Sequence, residues 1–260
     1  MFYRKKYLNA SLCLLIGLAG AFKVNTSIHA LGVYGLPAVL RCTYSPTTGT
    51  VLNDLIINWQ RVRDNAVVHS FYGGTDQLNL QSSDYQHRTT LFYNELLSGN
   101  ASLRLDNVSL RDEGPYFCSV SSNQGGDKAE VKLNFTAFYT EPQLSIQILP
   151  RKVNFSYESR GYPMPEVLWT DAKGHKFSDA KVSFSRVEQG LFSLHACLTV
   201  DCCELNYTFT VKNQPLGQVI QRHVAFRNGA AEYLKACPLQ HRIYIAFAII
   251  LFCSDQFTQL

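Results

Sequence analysis

The sequence predicts an all-β protein made of two β-sandwiches in tandem, and three observations support this. Short apolar segments that alternate with polar residues follow one another from about residue 22 to residue 227. Outside the two ends of the chain, no segment shows helical periodicity. Cysteine and tryptophan stand at spacings that suit packing between two sheets, and the length allows two domains of roughly a hundred residues each.

The first domain carries the most specific motif. Residues 112–118 read Asp-Glu-Gly-Pro-Tyr-Phe-Cys, and the final Cys118 lies 76 residues after Cys42. Trp59 follows Cys42 by 17 residues, and Tyr116 precedes Cys118 by two. This spacing is typical of an immunoglobulin sandwich, where a disulfide joins the two sheets and the tyrosine hydroxyl bonds backbone upstream. We expect a Cys42–Cys118 disulfide, with Trp59 and Tyr116 in the core.

The length of this domain indicates its type. Two additional strand-like segments lie between Trp59 and Leu103, which favours the variable type over the constant type. Arg88 and Asp112 stand where such domains carry a salt bridge across the bottom of the sandwich. We therefore expect a variable-type domain over residues 22–137. A linker over 138–142 follows, because Pro142 disfavours continuation of a strand.

The second domain, over residues 143–227, is predicted to be of the constant type, with Trp169 in its core. Its inter-sheet disulfide should be absent. Counting 13 residues back from Trp169 gives Ser156, and counting two forward from Tyr207 gives Phe209, so neither expected position holds a cysteine. A Ser156–Phe209 pair is expected to fill that volume. We predict that this domain is the less stable of the two, since such a bridge contributes about 2–5 kcal/mol.

The other cysteines leave their pairing open. Alternation along residues 194–198 predicts that Cys197 points outward. Compensating disulfides, intermolecular disulfides and free thiols are all compatible with Cys197, Cys202, Cys203 and Cys237 in an oxidising compartment. No Cys-x-x-Cys pair or matching histidines accompany them, so we predict neither a metal site nor a cofactor.

Both ends of the chain have apolar segments. Residues 1–21 combine a basic start, an apolar stretch and small residues at 19–21, which predicts a secretory signal peptide. Without it the net charge falls from +4 to about +1, so no nucleic-acid partner is expected. A stalk over 228–242 precedes an apolar segment over 243–253, which as a helix spans only about 16 Å. A short single-pass anchor is favoured; a lipid-anchor signal and a secreted form are the alternatives.

Six Asn-x-Ser/Thr sequons follow the signal peptide, so we expect a glycoprotein. Their asparagines are Asn25, Asn100, Asn107, Asn134, Asn154 and Asn206.

Longer strings resemble a known family. They include Val-His-Ser-Phe at 68–71, Gly-Asn-Ala-Ser-Leu-Arg-Leu at 99–105, Glu-Val-Leu-Trp at 166–169 and Glu-Gln-Gly-Leu-Phe at 188–192. These strings are similar to those of the B7 family of butyrophilin-like immune costimulatory and checkpoint ligands. The resemblance implies a variable-type domain, a constant-type domain and a membrane anchor. It also implies a receptor on T cells as the partner and the extracellular face of the cell membrane as the location.

Candidate receptor contacts follow from strand alternation and from loop position. Asn58 and Gln60 project opposite to Ile57 and Trp59, and so lie on the outer face of the sheet. His69 and the loop at 121–127 are expected nearby in the assumed fold, and the loop is a candidate because loops often carry binding residues. The loop contributes Asn123, Gln124 and Asp127.

Two other classes of function compete with a T-cell ligand. A homotypic or heterotypic adhesion or accessory protein is the alternative, and weak or disulfide-linked self-association is compatible with both. An enzyme is not predicted: the sequence contains no His-Glu-x-x-His motif, nucleophile elbow or glycine-rich phosphate loop.

Overall fold

The structure is a computed structural model that describes residues 22–46, 49–149, 152–201 and 206–225. The signal peptide at 1–21, the stalk at 228–242, the apolar segment at 243–253 and the cysteines Cys202, Cys203 and Cys237 lie outside these residues. Among the residues described, no helix has both the length and the apolar character needed to cross a membrane.

The described residues form eighteen β-strands and six short 3-10 helices. The strands are β1 (Val24–Thr26), β2 (His29–Val33), β3 (Ala38–Leu40), β4 (Cys42–Tyr44), β5 (Ile56–Arg61), β6 (Val67–Tyr72), β7 (Thr75–Asp76), β8 (Thr89–Leu91), β9 (Leu103–Leu105), β10 (Gly114–Ser122), β11 (Gly125–Thr136), β12 (Gln143–Leu149), β13 (Lys152–Gly161), β14 (Glu166–Asp171), β15 (Lys181–Arg186), β16 (Phe192–Asp201), β17 (Asn206–Asn213) and β18 (Gln218–Ala225). The 3-10 helices span Leu52–Asp54, Ser83–Tyr85, Tyr93–Ser98, Leu110–Asp112, Glu188–Gly190 and Gln214–Leu216.

The first sandwich packs a six-stranded sheet against shorter strands. The large sheet has the order β2-β11-β10-β5-β6-β7, and the facing strands pair as β3-β9-β8 and β1-β4. A disulfide joins Cys42 of β4 to Cys118 of β10, with the sulfur atoms 1.98 Å apart. Trp59 is fully buried beside it and donates a hydrogen bond from Nε1 to the carbonyl oxygen of Ala101 at 3.0 Å. Since β6 and β7 extend the large sheet, the expected variable-type sandwich is confirmed.

A salt bridge and a tyrosine corner close the bottom of this sandwich. The Nη2 atom of Arg88 lies 2.6 Å from Oδ2 of Asp112, whose side chain is buried. The hydroxyl of Tyr116 donates to the backbone oxygen of Asp112 at 2.7 Å and lies 3.0 Å from the hydroxyl of Tyr85. Burial raises the pKa of Tyr116. These contacts are all within the sandwich, so we assign them to stability.

The second sandwich has seven strands. The sheet β12-β13-β16-β15 faces the sheet β14-β17-β18, and Trp169 lies in the core between them. The prediction that Ser156 and Phe209 pair in this core is wrong. Ser156 points away from the core of this sandwich, and its neighbour Tyr157 stacks on Phe209 with ring centroids 4.3 Å apart. Because side chains alternate along a strand, a count that is off by one residue exchanges the two faces.

The hydroxyl of Tyr157 provides a test of this aromatic core. Within the described part of the chain this buried oxygen has no hydrogen-bond partner, and burial raises the pKa of Tyr157 to about 12. We expect Tyr157→Phe to be neutral or to stabilise the second sandwich by up to about 1 kcal/mol, since an unpaired buried hydroxyl is costly. The variant should also lose less stability than the parent protein between about pH 10 and pH 12, because the raised pKa disfavours folding once the unfolded tyrosine ionises.

Denaturant unfolding at neutral and alkaline pH measures both effects. Tyr116→Phe is the matched control and should destabilise the first sandwich, because the hydroxyl of Tyr116 has two partners. A Tyr157→Phe protein that is clearly less stable at neutral pH would contradict the prediction.

The two sandwiches pack against each other. Ala137 and Tyr162 exchange backbone hydrogen bonds of 3.0 and 3.2 Å. The ring of Tyr162 lies between Phe135 and Phe192, with centroid distances of 5.2 and 5.6 Å. The side chain of Asn213 donates to the backbone oxygen of Ala137 at 2.9 Å. These contacts fix the orientation of the two sandwiches relative to each other.

Candidate functional site

The side of the six-stranded sheet that points away from the core is called here the outer face. Alternation along β5 places Ile57 and Trp59 in the core, with no exposed surface. Asn58 is therefore on the outer face, and it pairs with Ser119 on β10 and with Ser70 on β6. Small polar side chains thus cross the middle of the face.

Larger apolar side chains flank this polar row. On one side, Ile56 is 41% exposed and Tyr72 is 51% exposed. On the other side, Phe117 is partly exposed, and the Nζ atom of Lys128 lies 4.8 Å from the centre of its ring. An exposed apolar group on a sheet that already has its own core is typical of a contact surface.

The sequence analysis missed these four residues. Ile56 stands two positions before Asn58, and Phe117 stands two before Ser119, so the same alternation places them on the outer face. Tyr72 and Lys128 need the strand register, which the sequence alone does not provide.

Two of the expected contacts on β5 are on the outer face. Asn58 is exposed, and Gln60 is partly exposed. The side-chain nitrogen of Gln60 donates to the backbone oxygen of Asn65 at 2.9 Å, so it also supports the turn that leads to β6.

The prediction that His69 is a surface contact is wrong, because its side chain has no exposed surface. Its Nδ1 lies 3.0 Å from Oγ1 of Thr89, and its Nε2 lies 3.0 Å from Oδ1 of Asp76. His69 pairs with the buried Trp59, and directly opposed residues point to the same face, so His69 faces the core while Ser70 lies on the outer face. The register shift after Trp59 adds Val68, which is buried next to it.

The expected loop at 121–127 is a hairpin with a two-residue turn. Ser122 pairs with Gly125, and only Asn123 and Gln124 lie between β10 and β11. Both are exposed at the tip of the sandwich. The side-chain nitrogen of Asn123 donates to Oδ2 of Asp54 at 3.0 Å, which joins this turn to the turn before β5.

Asp127 has a structural partner in the first strand. Its carboxylate accepts hydrogen bonds from the backbone nitrogens of Val24 at 2.9 Å and Lys128 at 2.8 Å. These bonds, that from Val24 foremost, lower the pKa of Asp127. The side chain therefore links β1 to β11, and the residue itself is exposed.

None of the six sequons lies in the middle of the outer face. Asn25 and Asn100 each pair with Thr43 on the opposite side of the sandwich. Asn134 lies on the outer face beside Leu31, about 20 Å along β11 from Lys128. Asn107 lies just after β9, and Asn154 and Asn206 belong to the second sandwich. The polar row and its apolar flanks therefore contain no sequon of their own.

Fold and surface together define an immunoglobulin-superfamily recognition protein with a variable-type and a constant-type sandwich. The immunoglobulin V-set domain family matches residues 26–136. Human V-set domain-containing T-cell activation inhibitor 1 is 29% identical over 200 residues, which are 76% of this chain and 68% of that protein. The CD276 antigen homolog of Xenopus laevis is 30% identical over 257 residues, which are 94% of this chain and 81% of that protein.

A solved structure agrees with these relatives. The crystal structure of bovine butyrophilin superposes with a TM-score of 0.70 at 25% identity, and the match covers 79% of this chain and 99% of that one. The chain belongs to the B7 and butyrophilin-like family, as the strings in its sequence indicated.

Proposed function

We propose that this protein is an extracellular ligand that binds a receptor on T cells through the outer face and thereby modulates T-cell activation. The observation that carries the proposal is the pair of exposed side chains Ile56 and Tyr72, with the partly exposed Phe117, around a polar row that bears no sequon. Family membership supports it, and the human relative is named for inhibition of T-cell activation.

The chemistry of the face suits a protein partner. Tyr72 and Ile56 supply apolar area, and such side chains carry most of the binding energy in many interfaces. Asn58, Ser70 and Ser119 are small and polar, so a partner can approach the backbone closely and form hydrogen bonds there. Six strands at about 4.8 Å spacing give a surface roughly 24 Å wide, which matches one side of a standard interface.

The same proposal includes the domain limits and the location. The variable-type sandwich at 22–137 would be presented by the constant-type sandwich at 143–227 and the stalk at 228–242. The apolar segment at 243–253 would attach the protein to the outer side of the cell membrane.

A charge placed on the outer face tests the proposed contact. We expect Ile56→Asp to weaken binding to activated T cells by tenfold or more, because a buried unpaired carboxylate costs at least about 1.4 kcal/mol in an interface. Val39→Asp is the matched control: Val39 is 42% exposed, also lies in a strand, and faces away from the outer face. Flow cytometry with the purified proteins measures binding, and proliferation of T cells on protein-coated beads measures modulation.

Three outcomes would contradict the proposal. Equal loss in both variants would place the contact elsewhere or indicate misfolding. Binding without any effect on proliferation would remove the modulating role. Aggregation of cells that all display this protein, without binding to T cells, would favour the adhesion protein instead.

A further inference from the structure

The string Glu-Gln-Gly-Leu-Phe at 188–192 belongs to the second sandwich but faces the first. It forms a 3-10 turn before β16, and the backbone nitrogen of Val187 donates to the carbonyl oxygen of Leu191 at 3.0 Å. Gln189 and Gly190 both have a left-handed backbone, with φ angles of 65° and 78°. A non-glycine residue is strained in that region, so surrounding contacts are needed to hold Gln189 there.

The first sandwich supplies these contacts. The hydroxyl of Tyr34 donates to Oε1 of Gln189 at 2.8 Å. Leu110 packs directly over Gly190, since a Cβ atom at position 190 would lie only 2.2 Å from Cδ2 of Leu110. Leu191 packs against the core of the first sandwich. The turn therefore meets the first sandwich at three successive residues, and only glycine fits in the middle.

Both contacting residues of the first sandwich are themselves held in place. Leu110 begins the 3-10 helix Leu110–Asp112, and the carboxylate of Asp112 is buried in its salt bridge with Arg88. The backbone nitrogen of Tyr34 donates to the carbonyl oxygen of Thr136 at 2.8 Å. The turn at 188–192 therefore rests on a fixed part of the first sandwich.

The segment that connects the sandwiches is a second attachment. The backbone nitrogen and oxygen of Tyr139 both bond to the side chain of Gln218, at 2.8 and 2.9 Å, and the ring of Tyr139 is buried. The backbone nitrogen of Thr140 donates to the carbonyl oxygen of Arg160 at 2.9 Å, and its own carbonyl oxygen accepts from the hydroxyl of Ser159 at 2.6 Å. A hinge needs residues that are free to change φ and ψ, and these two are not.

We propose that residues 188–192 are a docking clasp, which together with the connecting segment joins the two sandwiches into one rigid unit. Domains of one chain ordinarily move relative to each other, so rigidity is a specific property of this joint. The clasp and the connecting segment hold the joint at two separate places, and the outer face then points in one direction relative to the second sandwich. Rigidity of the joint does not depend on the proposed function, and a failure to bind T cells would leave it untouched.

Pulsed electron paramagnetic resonance on the purified full chain in detergent tests the clasp. Spin labels carried by non-natural amino acids replace Val39 in the first sandwich and Val182 in the second, whose side chains are 42% and 39% exposed. For the parent protein we expect one narrow distribution of the distance between the labels. Gly190→Leu should make this distribution roughly twice as wide, because the added side chain displaces Leu110 and separates the two sandwiches.

Gly174→Leu is the matched control. Gly174 also lies in the second sandwich and has a φ of 84°, but a Cβ atom there would have no contact within 4 Å. This variant has the same backbone strain without a contact to the first sandwich, and its distribution should stay narrow. Adding Leu110→Ala to Gly190→Leu removes about as much volume as the new leucine adds, and should make the distribution narrow again.

A wide distribution in the parent protein would overturn the rigid unit. A narrow distribution in Gly190→Leu, or one that stays wide after Leu110→Ala is added, would overturn the clasp. Tryptophan fluorescence shows whether both sandwiches remain folded. If Gly190→Leu unfolds the second sandwich, Leu110→Asp disturbs the same contact from the first sandwich, and a narrow distribution in that variant would equally overturn the clasp.

Discussion

Replacing both Cys42 and Cys118 by alanine is expected to lower the free energy of unfolding of the first sandwich by about 2–5 kcal/mol. The bond closes a loop of 76 residues, and its loss gives the unfolded chain more conformations. It also leaves space beside the buried ring of Trp59. Differential scanning calorimetry should show that the transition of the first sandwich moves to lower temperature.

Each sandwich contains one of the two tryptophans, so fluorescence can assign the transitions. A Trp169→Phe protein reports only on Trp59 and hence on the first sandwich. In the parent protein we expect the second sandwich to unfold first, because it has no disulfide between Tyr157 and Phe209. In the double alanine variant the order should reverse or the two transitions should merge. Cys197→Ser, which removes an outward thiol, is the control and should leave both transitions in place.

An unchanged first transition in the double alanine variant would mean that packing alone holds this sandwich. The contacts around Tyr116 and Asp112 would then be the main contribution. Asp112→Ala would distinguish the two cases, because it leaves Arg88 without its carboxylate.

The sequence predicted those parts of the fold that depend on specific residue types at characteristic spacings. Cys42, Trp59 and Cys118 define the sheets because only that spacing lets a disulfide and an indole share a core. The salt bridge between Arg88 and Asp112 was predicted from the same immunoglobulin pattern. The variable type followed from the length between Trp59 and Leu103, which β6 and β7 occupy.

The contact residues were harder to predict, because they depend on register. Alternation correctly placed Asn58 and Gln60, which stand on one regular strand. It did not place His69, whose inward direction follows from its pairing with the buried Trp59, because that pairing requires the strand register. The structural role of Asp127 could not be predicted from its position in the sequence either. Its hydrogen-bond partner Val24 is more than a hundred residues away in the chain.

The second sandwich shows the same limit in its core. Counting from Trp169 was correct to within one residue, but one residue in a strand is the difference between core and surface. The outward residue, Ser156, lies 2.8 Å from Nε2 of His195 through its Oγ atom. The inward residue, Tyr157, became part of an aromatic stack in the place where a disulfide was expected to be missing.

Phe209→Ala should therefore destabilise the second sandwich by more than the loss of one apolar contact would. The ring of Phe209 lies 4.3 Å from that of Tyr157 and 4.9 Å from that of Trp169, and it is fully buried. Truncation of such a ring costs about 3–5 kcal/mol, through lost burial and the cavity that remains. Among the described residues no disulfide crosses this core to limit the unfolded chain, so we expect the second sandwich to lose its cooperative transition near physiological temperature.

Phe138→Ala removes the same atoms from a side chain that is 53% exposed, and it should change stability by no more than about 0.5 kcal/mol. Urea unfolding followed by the fluorescence of Trp169 compares the two variants. If Phe209→Ala unfolds at the same urea concentration as Phe138→Ala, the aromatic stack does not replace the disulfide. The stability of the second sandwich would then come from its contacts with the first, such as the packing of Tyr162 between Phe135 and Phe192.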